Sequence, residues 1–347
     1  MAARLDVSDC PSPRWLPDGH GQTIAASLWA RYYRITFARE RVDTPDGDFI
    51  DFDWAAPGIT AAKLEQWFQD PGVPFAHHFP AGQPALVLFH GLEGSSRSPY
   101  AQAICHHFRA RGWVVVVPHF RGCSGTPNRL PRAYHSGDSD DIDFMLRTVR
   151  SRLPDASWHA AGVSLGGNAL AKFLGEHPAQ SGWLAASAII SAPLDLVAAG
   201  HMLGRGFINR HVYTRQFLRT LKNKVLLKAR RFPGIIDVLR VERARDLYEF
   251  DDAYTAPIHG FANVNDYWRR ASSLPWLKHI AGPTLVLNAR NDPFLPARFL
   301  PGPHDASSSV LLHQPARGGH GLFPAGSLVP NLDWLPARLE RFFRCYD

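Results

Sequence analysis

The sequence has few cysteines, and they are widely scattered along the chain. Four occur in 347 residues and none belongs to a C-x-x-C pair: Cys10, Cys105, Cys123 and Cys345. This scatter excludes a disulfide framework and a cysteine-rich zinc site, and it favours a reducing compartment.

Long apolar runs are also missing. The opening stretch MAARLDVSDCPSPRWLPDG contains no signal-peptide core. The most apolar later stretch, WLAASAIISAPLDLVAAG, is interrupted by Pro193 and Asp195 and is too short to span a bilayer. We therefore expect a soluble, cytoplasmic protein.

Acidic residues are scarce in one segment, which accounts for the formal net charge of +7. Residues 201–245 contain twelve Lys and Arg but only Asp237 and Glu242, so the remaining chain is slightly acidic. No RNA- or DNA-binding signature accompanies this charge, and we expect no nucleic-acid partner. The segment could contact anionic lipid surfaces, although a solvated helix face is the commoner explanation.

What the sequence does contain is an alternation of strand-like and helix-like segments. A hairpin-like stretch, FARERVDTPDGDFIDFDWA, is followed by six apolar strand-like runs separated mostly by helical patterns: PALVLFH, WVVVVPHF, SWHAAGVS, LAASAIIS, PTLVLNAR and SVLLHQP. This order predicts an α/β fold with a mostly parallel sheet and helices on both faces. Ligand chemistry is then expected at the carboxyl ends of the strands.

Residues 196–275 depart from this alternation. In YTRQFLRTLKNKVLLKARR the apolar residues Tyr213, Phe217, Leu221 and Val225 recur every four positions, with most basic residues between them, which predicts an amphipathic helix. We interpret the segment as a helical cap inserted over the strand ends. The hydrolase-like core would then comprise residues 1–195 and 276–347.

The stretch AGVSLGGNALAKF places Ser164 in a G-x-S-x-G pattern between a strand and a helix. Glycines at 162 and 166 remove Cβ atoms that would crowd the neighbouring strand or helix of a nucleophile elbow. The pentapeptide alone fits a nucleophile and a tight turn about equally well. A nucleophilic serine also needs a base and a group that orients the base.

Those partners occur in the order that this fold class uses, serine, then acid, then histidine. Asp292 follows the apolar strand in TLVLNARNDPF, and His320 lies in the glycine-rich GGHGLF. Asp195 is an alternative acid, but it does not follow the penultimate strand. His313 fits better as a strand residue, and His304 as part of a surface loop.

Two backbone amides are expected to stabilise a negatively charged oxygen. One belongs to Leu165, directly after the serine, and the other belongs to the loop in LVLFHGLEGSS. We predict Leu92 as this second donor, with Glu93 as the reserve.

These motifs together resemble the α/β-hydrolases, and the YheT-like hydrolase family in particular. The resemblance extends over nearly the whole chain, through WLPDGHGQTI, LVLFHGLEGSSRSPY, HFRGCSGTPN, YHSGDSDDI, GVSLGGNAL, NARNDPF and GGHGLF. It implies a serine hydrolase of carboxylic esters with the triad Ser164, Asp292 and His320, and a cap between the sixth and seventh main strands. We expect a small ester substrate with a short to medium acyl chain, and no metal or organic cofactor.

Two other functions stay open at this stage. An alcohol could replace water and make the protein an acyltransferase, and a hydrolase scaffold can also serve as a non-catalytic binding protein. His135 and Asp140 in YHSGDSDDI have the H-x4-D spacing of some acyltransferases. We favour a helix start there, with Ser136, Asp138 or Ser139 as the N-cap.

Overall fold

The computed structural model describes residues 2–30, 32–70 and 75–346. Nine strands form one sheet: β1 (Arg4–Asp6), β2 (Ala38–Asp43), β3 (Phe49–Ala55), β4 (Pro84–Phe89), β5 (Val114–Pro118), β6 (Ser157–Val163), β7 (Ala186–Ile190), β8 (Thr284–Leu287) and β9 (Val310–His313). The helices are α1 (Gly19–Trp29), α2 (Ala61–Gln69), α3 (Pro99–Arg109), α4 (Ser139–Arg152), α5 (Leu165–Glu176), α6 (Pro178–Ser181), α7 (Leu196–Leu203), α8 (Arg215–Arg231), α9 (Val238–Arg243), α10 (Leu247–Phe250), α11 (Ala256–Ile258), α12 (Val264–Ala271) and α13 (Trp334–Phe343).

The strand order is β1-β9-β8-β7-β6-β4-β5-β3-β2. Strands β2 and β3 form the predicted antiparallel hairpin, and β3 also runs antiparallel to β5, whereas the other neighbours are parallel. The mostly parallel α/β sheet is therefore confirmed. The sequence reading missed β1, because its three residues carry no periodic pattern and pair only along the outer edge of β9.

Strand β5 shows why its sequence is a continuous apolar run. Val114 and Val116 pack into a core with residues of α4 and α5, whereas Val115 and Val117 pack on the other face against α3 and α13. Successive side chains of a strand point to opposite faces, so a strand covered by helices on both sides is apolar throughout.

Residues 196–275, hereafter the helical insertion, lie between β7 and β8, and all of them are described. They form α7 to α12 and two π-helical turns, Asn209–Thr214 and Asp251–Thr255, and contain no strand. The predicted amphipathic helix begins at Arg215, two residues after Tyr213, which belongs to the first π-helical turn. None of the described helices combines the length and the apolar character that a membrane crossing requires. The division into core and cap domains remains a prediction.

Candidate active site

Ser164 lies at the sharp turn between β6 and α5. Its backbone adopts φ 54° and ψ −120°, in a region that a residue with a side chain rarely occupies. The Ser164 N–H donates to the carbonyl of Ile190 on the neighbouring strand at 2.8 Å, which holds the turn against the sheet. This strained strand-to-helix turn exposes the hydroxyl at the carboxyl edge of the sheet.

The two flanking glycines have the steric role that the sequence predicted. A Cβ added to Gly162 would lie 2.5 Å from the carbonyl oxygen of Gly166, within the same turn. A Cβ on Gly166 would lie 2.4 Å from the carbonyl oxygen of His90, at the end of β4. Both contacts are with backbone atoms, so a larger residue could be accommodated only by moving the turn.

The structure brings Ser164, His320 and Asp292 into a hydrogen-bonded chain. The serine Oγ lies 2.9 Å from His320 Nε2, and His320 Nδ1 lies 2.8 Å from Asp292 Oδ2. Because an ionised carboxylate can only accept, Nδ1–H donates to Asp292, which leaves Nε2 as the acceptor for the serine hydroxyl. Asp292 is buried, and its other oxygen accepts the N–H of Phe294 at 2.8 Å.

Helix α1 holds the histidine loop in place, a role that we did not predict. Thr23 Oγ1 accepts the backbone N–H of His320 at 2.9 Å, and Gln22 Oε1 accepts the N–H of Gly318 at 2.8 Å. Gln22 Oε1 also accepts from the side-chain amide of Asn291, beside the acid. The motif WLPDGHGQTI was the available signal, but neither periodicity nor spacing connects it to a loop about 300 residues away.

Leu165, Leu92 and Ser164 line the same cavity. Leu165 is the first residue of α5, where an amide has no partner within the helix. In the other loop, the N–H of Gly91 donates to the Tyr100 hydroxyl at 2.8 Å, and that of Glu93 donates to the Tyr134 hydroxyl at 2.9 Å. Of these three successive loop amides, all within the described residues, only that of Leu92 has no acceptor, which favours Leu92 over Glu93.

A cavity of about 680 Å³ leads away from the serine and lies between the sheet edge and the helical insertion. Most of its lining is apolar and comes from both parts, including Leu92, Leu196, Leu203, Phe217, Leu221 and Trp268. Its size is within the usual range for a small-molecule site. Burial raises the pKa of Asp251, which also lines it, to about 6, although Thr255 and Trp268 donate hydrogen bonds to its carboxylate.

The alternative residues lie elsewhere. Asp195 is the N-cap of α7 and accepts the Ala198 N–H. His313 is a β9 residue whose Nε2 lies 2.8 Å from the Ser8 carbonyl, and His304 is exposed in a short turn.

The H-x4-D pair is not brought together around the serine. Asp138 is the N-cap of α4, one of the three capping residues expected, and Asp140 is exposed in the first turn of that helix. His135 packs its ring against His259 at a centroid distance of 4.6 Å. Burial, assisted by the positive charge of Arg132, lowers the pKa of His135 to about 3, so this imidazole is neutral at physiological pH.

Two lysines of α8 turn inward, whereas the sequence had favoured a solvated basic face over an apolar one. Lys228 is buried and donates to three carbonyls of the loop after β5, those of Leu130, Pro131 and Arg132. Lys224 reaches Glu93 in the sheet-edge loop. Positions 221, 225 and 228 follow the i, i+4, i+7 spacing of one helix face, so Lys228 continues the apolar stripe.

Comparison with known proteins agrees with this architecture. A family model described as the alpha/beta hydrolase fold matches residues 84–326. The Escherichia coli K12 protein named "Putative esterase YheT" is 37% identical over 329 residues, which cover 94% of this chain and 90% of the relative. Human "Phospholipase ABHD3" is 27% identical over 319 residues, covering 90% and 74% of the two chains.

The solved structures give the same fold. Est1E from Butyrivibrio proteoclasticus, solved with ferulic acid bound, superposes with a TM-score of 0.52 and 14% sequence identity. The match covers 88% of this chain and 98% of that one, so the two chains share a fold over most of their length.

Proposed function

This chain belongs to the α/β-hydrolase family and, within it, to the YheT-like group, and on that basis we propose that it is a serine hydrolase of carboxylic esters. The observation that carries the proposal is the hydrogen-bonded chain from Ser164 through His320 to Asp292, which opens into an apolar cavity. The names of two relatives, an esterase and a phospholipase, agree with ester chemistry.

In the proposed reaction the Ser164 hydroxyl attacks the ester carbonyl while His320 Nε2 takes its proton. Asp292 keeps Nδ1 protonated and stabilises the imidazolium that forms. The amides of Leu165 and Leu92 donate to the oxygen of the tetrahedral intermediate. His320 then gives the proton to the leaving alcohol. In the second half of the reaction water attacks the acyl-enzyme while His320 takes its proton, and His320 returns a proton to Ser164 as the acid is released.

We further propose that the helical insertion is the cap that selects the acyl chain. Leu196, Leu203, Phe217 and Leu221 come from it and line the cavity that the serine also lines. An apolar cavity of about 680 Å³ can bury the methylene groups of an acyl chain. Each buried methylene stabilises the bound substrate by about 0.8 kcal/mol. The substrate is therefore expected to be an ester with a short to medium apolar acyl chain.

The proposal is tested by comparing wild type with Ser164→Ala on p-nitrophenyl esters of increasing chain length. The variant should lose roughly 10⁴- to 10⁶-fold in kcat while keeping the wild-type melting temperature. A fluorophosphonate probe should label wild type and not the variant. Ester hydrolysis by Ser164→Ala at nearly the wild-type rate would remove the serine from the mechanism.

Two other outcomes would redirect the proposal. Product analysis with an added alcohol separates hydrolysis from acyl transfer, because a transferase would convert most of the ester into the new ester instead of the acid. A wild-type protein that neither hydrolyses esters nor reacts with the probe would instead be a binding protein on a hydrolase scaffold.

A further inference from the structure

The residue after the candidate oxyanion donor has an unfavourable backbone conformation. Glu93 follows Leu92 directly and has a φ of +56°, in the left-handed region that favours glycine. Such a conformation persists in a residue with a side chain only where surrounding contacts hold it. The position of the Leu92 amide therefore depends on what holds Glu93.

Two side chains hold Glu93 by its backbone and its carboxylate together. The Tyr134 hydroxyl accepts the Glu93 N–H at 2.9 Å and donates to Oε1 of the same residue at 2.9 Å. Lys224 Nζ donates to that Oε1 at 2.7 Å. The Glu93 side chain is only 8% exposed, so the carboxylate end of these charge-assisted bonds is shielded from water, whereas the Lys224 side chain is 38% exposed.

The other flank of the loop is held independently of the insertion. The Tyr100 hydroxyl accepts the Gly91 N–H, and the Gly91 carbonyl lies 2.8 Å from His90 Nδ1. His90 Nε2 accepts the Phe120 N–H, which makes Nδ1 the protonated nitrogen and the donor. Contacts within the core therefore hold one side of Leu92. On the other side Tyr134 and the turn bond from the Gly94 N–H to the Gly91 carbonyl at 2.9 Å hold the backbone, and Lys224 of α8 adds its bond to the Glu93 carboxylate.

We propose that Lys224 of the helical insertion, acting through Glu93, positions the Leu92 amide for oxyanion stabilisation. The inference rests on the proposed function, since it assigns Lys224 and Glu93 a positioning role in the same reaction. Neither residue donates to the oxyanion itself. The insertion thus contributes to the rate of ester cleavage as well as to the cavity wall.

Removing the lysine leaves the Glu93 carboxylate with one donor fewer in a site shielded from water. Its side chain then turns toward solvent, the left-handed conformation relaxes, and the adjacent Leu92 amide moves with it. A displacement of 1 Å can cost about 100-fold in rate. The loss should be smaller than the roughly 100- to 1000-fold that follows removal of an oxyanion donor outright.

The experiment uses the full-length protein and the variants Lys224→Met, Lys224→Arg and Glu93→Gln. The matched control is Lys222→Met on the same helix, because Lys222 Nζ donates to carbonyls within the insertion, those of Glu242 and Ala244, and within the described part of the chain has no bond to the Glu93 loop. For each variant we would measure kcat and KM on a soluble p-nitrophenyl ester. We would also measure the Ki of an alkyl boronic acid, whose tetrahedral adduct with the serine mimics the intermediate.

For Lys224→Met and Glu93→Gln we expect kcat to fall roughly 10- to 100-fold with KM changed by less than about 2-fold, since the interaction matters in the transition state. The boronate Ki should rise by the same factor. Lys224→Arg should recover most of the rate, and Lys222→Met should match wild type. The double variant Lys224→Met/Glu93→Gln should lose no more than either single variant.

Several results would overturn the inference. A rise in KM with unchanged kcat would make Lys224 a substrate contact, and a lowered melting temperature with wild-type kcat would make the ion pair structural. Failure of both single variants to fold, with Lys222→Met intact, would also make the pair structural. Absence of ester hydrolysis by wild type would instead remove the proposed function, so the two failures are distinguishable.

Discussion

Because Gly166 lies close to the end of β4, a larger residue at position 166 should lower both the stability of the protein and its catalytic rate. In Gly166→Ala the new Cβ would lie 2.4 Å from the His90 carbonyl oxygen and 2.6 Å from that of Phe89, where ordinary contacts are 3.4–4 Å. The elbow and β4 must therefore separate by about 1 Å. Both partners are backbone, so a change of rotamer cannot relieve the contact.

The cost follows from this displacement. Overpacking of a dense core costs about 1–3 kcal/mol, and a contact with rigid backbone on both sides belongs at the upper end. For a chain of 347 residues, 3 kcal/mol corresponds to a melting temperature lower by about 4 °C. The separation also moves Leu165 away from the loop of Leu92, so we expect kcat to fall by about 100-fold.

The assay compares thermal unfolding and kcat of Gly166→Ala with those of Gly182→Ala. The control position has φ −65°, and the nearest atoms to an added Cβ are 3.7 Å away. Its substitution should leave kcat unchanged and alter stability by about +0.5 to +1 kcal/mol, because alanine restricts the unfolded chain. A Gly166→Ala protein with the wild-type melting temperature and kcat would refute the steric account of the elbow.

Three further predictions concern buried charge. Asp292→Asn should lower kcat about 10⁴-fold with little loss of stability, since the His320 tautomer is no longer fixed; equal kcat in wild type and variant would exclude this role. Arg121→Ala removes the partner of three aspartates and should lower the free energy of unfolding by about 3–5 kcal/mol, which is measured as a lower melting temperature. An unchanged melting temperature would contradict this prediction. Burial lowers the pKa of both His90 and His135 to about 3. Below pH 6.5 these two histidines therefore bind protons in the unfolded chain but stay neutral in the folded protein. Each should then reduce the free energy of unfolding by about 2 kcal/mol at pH 5, and His135→Gln should flatten the fall in melting temperature between pH 7 and 5.

The mostly parallel α/β sheet could be predicted, and the three candidate residues could be proposed, because their signals are local. A strand buried on both faces is apolar throughout, and an elbow needs glycine on either side of Ser164. Asp292 and His320 each follow a strand, and parallel strands bring their carboxyl ends to one edge. Periodicity and spacing were therefore enough to propose these three residues without knowledge of any long-range contact.

Contacts between distant segments could not be predicted in this way. The bonds from Gln22 and Thr23 to the histidine loop join residues about 300 positions apart. Nothing in the local sequence around either segment indicates the other. The same holds for Tyr134, whose hydroxyl reaches Glu93 across 41 positions.

The sequence by itself determined the α/β architecture, the order of the candidate residues Ser164, Asp292 and His320, and the glycines beside Ser164, since each depends on a few neighbouring residues. The tertiary structure alone decided the environment of the basic helix. Lysines in a basic helix are expected on its solvated face. The packing of α8 instead directs Lys224 to Glu93 and Lys228 to three backbone carbonyls. Lys228 is buried and Lys224 half-buried, and only the arrangement of neighbouring elements supplies the polar acceptors that offset their desolvation.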